Sequence, residues 1–324
     1  MKKIFVLILF MLPILLDAQT EIDYFHKGLE ANKNGLYYAA IDFYKKYLAT
    51  NPNEAAAYYN MGLAYDNLKD YTEAIKSYQQ AIAINPNDAD ADTYYNLGNA
   101  YLNSQNYPNA IKYFQKAIAI NADYANAYEG IGNVYGELQN YQEAIKYFQE
   151  AITINPNDAE AYVLMGLTYD KLKDYPEAIK SCQQAVVINS NDGVNGTAYW
   201  EMGNAYYCLD NYSEAIKYSQ KAIAINPNDA DSWRRMGCAY ALLQNYDEAI
   251  NPFQQAITIN PNDAEAYSLL GLTYDKLQNY SEAIQYYTKA AQLGNVDAQN
   301  KLKELGSSGK TQKHHTKRKT KQAI

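Results

Sequence analysis

Histidine is nearly missing from this 324-residue chain: only His26, His314 and His315 occur, and none falls in the long stretch between them. That stretch therefore has no base for a Ser/His/Asp or Cys/His arrangement. Cysteine is as sparse. Cys182, Cys208 and Cys238 are odd in number, form no C-x-x-C, and define no disulfide framework. A Cys208–Cys238 bridge between neighbouring helices is conceivable, while Cys182 reads as a small hydrophobe. Zinc-type spacings are missing, and so are the glycine-rich loops that cradle phosphates. The His314-His315 pair reads as part of the tail rather than a metal site. These gaps remove the common routes to catalysis, so the expectation is a protein that is not an enzyme, with no metal, no cofactor and no small-molecule substrate.

Long hydrophobic runs are lacking too. The only one is Ile4 to Leu16, 13 residues, preceded by Lys2 and Lys3 and followed by Asp17-Ala18-Gln19. It is short for a membrane span, and its flanks fit a signal peptide over 1–18 cut after Ala18. The expectation is export to the periplasm or beyond; an inner-membrane anchor left uncleaved is the alternative. Basic charge is scarce in the body: residues 19–306 hold 20 basic and 35 acidic side chains, a net of −15. Nucleic acid is a poor primary partner for such a surface, and a basic ligand segment is electrostatically easier. Residues 307–324 reverse the sign, with Lys310, Lys313, Lys317, Arg318, Lys319 and Lys321 and no acid. That stretch has no apolar periodicity and reads as a disordered basic tail. Either it solubilises the end of the chain, or residues 310–321 tether it to an anionic surface.

What is present is a period of 34 residues. The string Tyr58-Met61-Gly62-Tyr65 returns as Tyr94-Leu97-Gly98-Tyr101, Tyr128-Ile131-Gly132-Tyr135, Tyr162-Met165-Gly166-Tyr169, Tyr199-Met202-Gly203-Tyr206, Trp233-Met236-Gly237-Tyr240 and Tyr267-Leu270-Gly271-Tyr274. A weaker copy, Tyr24-Lys27-Gly28-Ala31, stands first. Spacings of three, four and seven put these residues on one face of a helix. A second block such as Tyr71-Ala74-Tyr78-Ala81 follows with the same period, and its Ala81-Ile82-Ala83-Ile84 end reads as helix rather than strand. Between the blocks, Asp70, Asn140, Asn211 and Asn279 each stand three residues before a Glu, a capping-box spacing. Pro108 and Pro176 fit a first turn. Asn-Pro-Asn-Asp at 85–88, 155–158, 226–229 and 260–263 ends one hairpin and starts the next. Glycine on the first helix and Ala74, Ala110, Ala144, Ala178, Ala215, Ala249 or Ala283 on the second allow the two backbones to approach closely. One hairpin cannot cover its own apolar stripe, so the hairpins must stack.

The Tyr/Trp-x2-[LIM]-Gly-x2-Tyr…Ala-x3-[YF]-x2-Ala…Pro string resembles the tetratricopeptide repeat, covering nearly all of the chain between leader and tail. The units fall at 21–54, 55–88, 91–124, 125–158, 159–192, 196–229, 230–263 and 264–297, with a capping helix at 296–306. The resemblance implies an all-α fold, an α-α superhelix of eight helix-turn-helix repeats, with first helices lining a concave groove. It further implies a non-catalytic scaffold whose groove binds a peptide segment of a partner protein. A cell-envelope assembly factor tethered by its basic tail is the alternative. Groove positions would carry Phe25, Tyr59, Tyr95 and Trp200 beside Asn60, Asn96, Asn99, Asn133 and Asn204. These aromatics either line the groove or only pack against the adjacent first helix. A clamp for a terminal carboxylate, which some members build from Lys and Arg, finds only Arg234 and Arg235 here.

Two insertions break the period, Ala89-Asp90 and the Gly193–Asn195 stretch. The second, within Asn191–Gly196, carries two glycines and predicts a hinge or a change of superhelix pitch near 191–197 that splits the stack five plus three. Pro252 falls inside a predicted second helix and predicts a kink.

Overall fold

The computed structural model describes residues 24–86, 89–188 and 192–307. The leader read at 1–18 and the basic tail from residue 308 onward lie outside them. Every element among the described residues is helical. In chain order they are α1 (24–33), α2 (Tyr37–Thr50), α3 (Ala55–Asn67), α4 (Tyr71–Ile84), α5 (Ala91–Asn103), α6 (Tyr107–Ile120), α7 (Ala125–Glu137) and α8 (Tyr141–Ile154). Then follow α9 (Ala159–Lys171), α10 (Tyr175–Ile188), α11 (Asp192–Cys208), α12 (Tyr212–Ile225), α13 (Ala230–Leu242), α14 (Tyr246–Ile259), α15 (Ala264–Lys276), α16 (Tyr280–Gln292) and the capping helix α17 (Val296–Ser307). Two compact units divide between Pro156 and Asn157. Within each, the partners of a hairpin pack on one another and each second helix packs on the next first helix.

The glycine explanation sharpens at atomic detail. A Cβ on Gly62 would lie 2.6 Å from the ring of Tyr78, and on Gly98, Gly132, Gly237 and Gly271 within 2.7–2.8 Å of Phe114, Phe148, Phe253 and Tyr287. Close approach is therefore between glycine and the aromatic of the same hairpin's second helix. The alanines named above, from Ala74 to Ala283, are all fully buried, and the carbonyl of Ala178 faces Gly166. Outside this core the remaining tyrosines stack between helices. Tyr101–Tyr113, Tyr135–Tyr147, Tyr206–Tyr218 and Tyr274–Tyr286 lie 5.3–5.5 Å apart with nearly parallel rings. Lys116 and Lys221 sit over two of these stacks, adding cation–π attraction to the area buried.

Capping follows the sequence only in part. Asp70 and Asn211 accept from the backbone N–H of Glu73 and Glu214, but Asn140 and Asn279 make no side-chain cap. Glu73, Glu143, Glu177 and Glu214 pair instead with Lys76, Lys146, Lys180 and Lys217 one turn on, exposed pairs worth little each. The first helices are better served. Asp90, Asp158, Asp229 and Asp263 all cap them through backbone N–H groups.

Each hairpin turns through one residue in the left-handed region. It is Gly35 in the first, but Lys69, Gln105, Gln139, Lys173, Asp210, Gln244 and Gln278 in the rest, all with φ near +60°. Non-glycine residues sit there at a cost of about 1–2 kcal/mol. Gln105→Gly should therefore raise stability by about 0.5–1 kcal/mol once glycine's extra unfolded-chain entropy is deducted. Thermal melts check this; a lower Tm would show that the glutamine side chain contributes more than its backbone strain costs.

One expectation is corrected. Of the stretch 191–197, residues 192–197 form the first turns of α11, which runs 17 residues where other first helices run 13. The insertion lengthens a helix, and the division between compact units falls at 156/157. α14 spans 14 residues across a buried Pro252, the same length as α12, so the proline neither ends nor restarts the helix. Its ring stands where α6, α8, α12 and α16 carry Tyr113, Tyr147, Tyr218 and Tyr286.

Candidate binding face

Within each unit neighbouring first helices touch: α3 with α5, α5 with α7, α9 with α11, α11 with α13, and α13 with α15. Each unit therefore has its own row of first helices. The aromatics expected on them are half-buried. Phe25 packs against Tyr44 and Tyr47 at 6.0 and 5.2 Å, Tyr59 against Tyr78 at 5.9 Å, and Tyr95 against Phe114 and Tyr124 at 5.8 and 5.4 Å. Phe25, Tyr59 and Tyr95 thus each pack on an aromatic of their own hairpin's second helix, a contact not weighed from sequence, and remain partly exposed. Trp200 is half-buried and borders an open cavity with Thr197 and Ile225.

The amide row is used largely between helices. The Asn96 Nδ2 donates to the Tyr59 hydroxyl at 2.9 Å, and the Asn204 Nδ2 to Asp170 Oδ1 at 3.0 Å. Asn32 reaches the Asn60 carbonyl at 3.0 Å, and the Asn60 side chain donates back to Ala56 at 2.8 Å. Asn99 and Asn133 are half-buried on α5 and α7.

Three features were not read from sequence. Arg234 is held by three carboxylates: Glu265 at 2.7 Å, Asp231 at 3.0 Å and Asp263 at 3.4 Å. Burial opposes its charge, but these neighbours hold the guanidinium above its ordinary pKa. Arg235 lies over the Tyr207 ring at 4.9 Å. An apolar cleft of about 260 Å³ opens beside them, lined by Tyr207, Cys238, Leu242, Leu269, Leu272 and Lys276. Burial pushes the Cys238 thiol up to about 11, which leaves it protonated and a poor nucleophile; all three cysteines are free thiols.

The third feature is Glu201, fully buried in α11 with neither carboxylate oxygen hydrogen-bonded. Burial, then the neighbouring Asp170, pushes it up to about 8, against the opposing pull of Lys171 and Arg235. It stands at a variable position inside the repeated string, between Tyr199 and Met202, which the string itself does not specify.

Stacked two-helix hairpins with a ligand-sized face along their first helices define an α-solenoid of helical repeats. Family descriptions of the tetratricopeptide repeat match residues 55–88, 89–157, 123–186, 157–228, 218–251 and 264–293, and one for the TPR repeat matches 237–278. Together they run unbroken from 55 to 293, and the chain belongs to the tetratricopeptide repeat family. No curated protein matches it. Among solved structures, the C-terminal part of a TPR repeat-containing protein from Cytophaga hutchinsonii is 20% identical with TM-score 0.62, covering 76% of this chain and 99% of its own. A tetratricopeptide repeat protein from Parabacteroides merdae is 19% identical with TM-score 0.55, covering 77% and 97%. YrrB, described as a TPR protein with an unusual peptide-binding site, is 24% identical with TM-score 0.53, covering 59% and 98%. These likenesses show the fold.

Proposed function

We propose that this protein is an interaction scaffold whose first-helix face holds an extended or helical segment of a partner protein. The observation that supports this is the half-burial of Tyr59, Tyr95, Asn99 and Asn133 on first helices of the first unit that touch in turn, α3 with α5 and α5 with α7. Rings fixed on one edge offer contact area at low entropy cost, and amides pair with both groups of a peptide backbone. Export through residues 1–18 belongs to the same proposal and puts the partner outside the inner membrane.

Photo-crosslinking side chains at Asn99 and Asn133, compared with Glu150 and Gln183 on exposed second-helix surfaces, test it in extract of the source cells. Adducts to a partner are expected from the first pair and not from the second. Equal adducts from all four positions, or none from Asn99 and Asn133, would sink the proposal.

A further inference from the structure

One location recurs in three hairpins with different contents. It lies between the start of a first helix and the last turn of its second helix, beside the cap of the next first helix. In the seventh hairpin it is filled by the chain's own Arg234, whose guanidinium meets Asp263, the cap of α15, and Glu265 two residues on. In the sixth hairpin, 34 residues earlier, Trp200 replaces the arginine, while Asp229 and Asp231 stand for the two acids. The result is an open cavity of about 380 Å³ bordered by Trp200, Thr197, Ile225, Asn226, Asp229 and Asp231. In the second hairpin Tyr59 takes the aromatic place and Asp90 caps α5. There a cavity of about 250 Å³ is bordered by Tyr59, Ala56, Ala81, Asn85, Asp90 and Thr93, with Asp92 close enough to act electrostatically on the tyrosine.

Neither cavity is bordered by a cation. Both adjoin the C-terminal turn of a second helix, where the dipole favours positive charge. An aromatic wall attracts cations over its face, as Tyr207 does for Arg235 at 4.9 Å. Asp229 and Asp90 are engaged as caps, and Asp231 in an ion pair with Arg234. Asp92 accepts from the Tyr124 hydroxyl, and Arg234 offsets only one of the three carboxylates around it. The seventh hairpin shows what this frame accommodates.

We propose that the cavities of the second and sixth hairpins each receive a lysine or arginine side chain from a basic segment of the partner, seated on the ring and beside the carboxylates. This rests on the peptide-binding reading above and specifies the ligand's charge. The acidic body, 35 acidic against 20 basic side chains over residues 19–306, supplies long-range attraction of the same sign.

The test is calorimetric titration of the full chain with the peptide acetyl-(Gly-Arg)4-amide and with its neutral citrulline analogue, at physiological salt. Tight binding of the arginine peptide and at least tenfold weaker binding of the citrulline peptide are expected. Asp90→Asn with Asp92→Asn, Asp229→Asn with Asp231→Asn, and the ring replacements Tyr59→Leu and Trp200→Leu should each weaken arginine-peptide binding about five- to tenfold. Asparagine retains the cap acceptor, and unchanged melting curves verify folding; the ring replacements provide a second route should a carboxylate pair destabilise. Glu150→Gln with Glu248→Gln removes the same charge from exposed second-helix positions and should change affinity less than twofold. Equal loss in that control would reduce the attraction to diffuse charge and overturn the proposal. Equal binding of both peptides would overturn it while leaving a peptide-binding face intact, and absence of arginine-peptide binding would overturn it outright. If replacing the basic residues of 310–321 by glutamine tightens peptide binding, the occupant is this chain's own tail, and the assignment to a partner fails.

Discussion

Glu201→Gln is expected to stabilise the second unit at pH 9 and leave it unchanged at pH 5. A carboxyl of this kind titrates near 4.5 in the unfolded chain and near 8 where it is buried. Between those values the folded state keeps a proton that the unfolded state has released, so stability falls as pH rises through the window and levels off above about 8. One pKa unit corresponds to about 1.4 kcal/mol, and the loss across the window is on the order of 5 kcal/mol. The groups facing Glu201 fix the sign. Asp170 from α9 and the burial itself oppose ionisation, while Lys171 from α9 and Arg235 from α13 offset only part of it. The Cys182 thiol on α10, itself pushed up by burial, stays neutral. Glutamine removes the titration at nearly constant volume. Urea melts followed by circular dichroism at pH 5, 7 and 9 should show a falling wild-type series and a flat variant series. A wild type with no fall between pH 5 and 9, or a variant that falls alongside it, would show that Glu201 is not the group that ties folding to pH.

The hairpins were legible because their signal is repeated. A 34-residue period carried by glycine, alanine and aromatics sets helix type, hairpin length and core, and each copy corrects the noise of the others. The turns were less so. Nothing in Gln105 or Lys69 announces a left-handed conformation; the constraint comes from closing the hairpin, and it overrides the local preference for glycine. The insertion at 193–195 was misread because glycine was weighed as a local breaker, whereas packing on its neighbours holds α11 helical. Asn96 and Asn204, read as groove residues, hydrogen-bond between helices, which periodicity cannot show.

A finer regularity was in the sequence and was missed. Buried Tyr44, Tyr78 and Tyr287 are accompanied by Asn32, Asp66 and Asp275 on their own first helices, while Phe114, Phe148 and Phe253 are accompanied by Leu102, Gly136 and Ala241. A polar side chain thus stands on the first helix wherever the buried ring is a phenol, though only the Tyr44 hydroxyl is hydrogen-bonded, by the Asn32 amide at 3.4 Å, while those of Tyr78 and Tyr287 have no hydrogen-bond partner. The fifth hairpin breaks this rule, pairing Asp170 with Cys182. That mismatch, visible in the sequence, marks where the next hairpin inserts Glu201.

Cys182 and Glu201 together replace a pair found elsewhere in the chain, and exchanging both should work where exchanging one does not. In the third and fourth hairpins the Phe114 ring reaches so far that a Cβ on Gly130 would lie 2.6 Å from its tip. Cys182 and Glu201 occupy the equivalent positions, a short side chain opposite a long one, both fully buried. Cys182→Phe alone drives a ring toward the space of the glutamate and should destabilise by about 1–3 kcal/mol or more. Glu201→Gly alone trades relief of an unpaired carboxylate against a cavity and about 1 kcal/mol of helix propensity. In the double variant the ring fills the vacated volume over Gly166, as Phe114 does over Gly98 and Gly130. Denaturant melts of the four proteins should therefore give a favourable coupling energy of about 2 kcal/mol or more. If Cys182→Phe does not fold, recovery of helical signal and a cooperative melt in the double variant is the same result read qualitatively. Additive single effects would mean that the two sites do not share one volume.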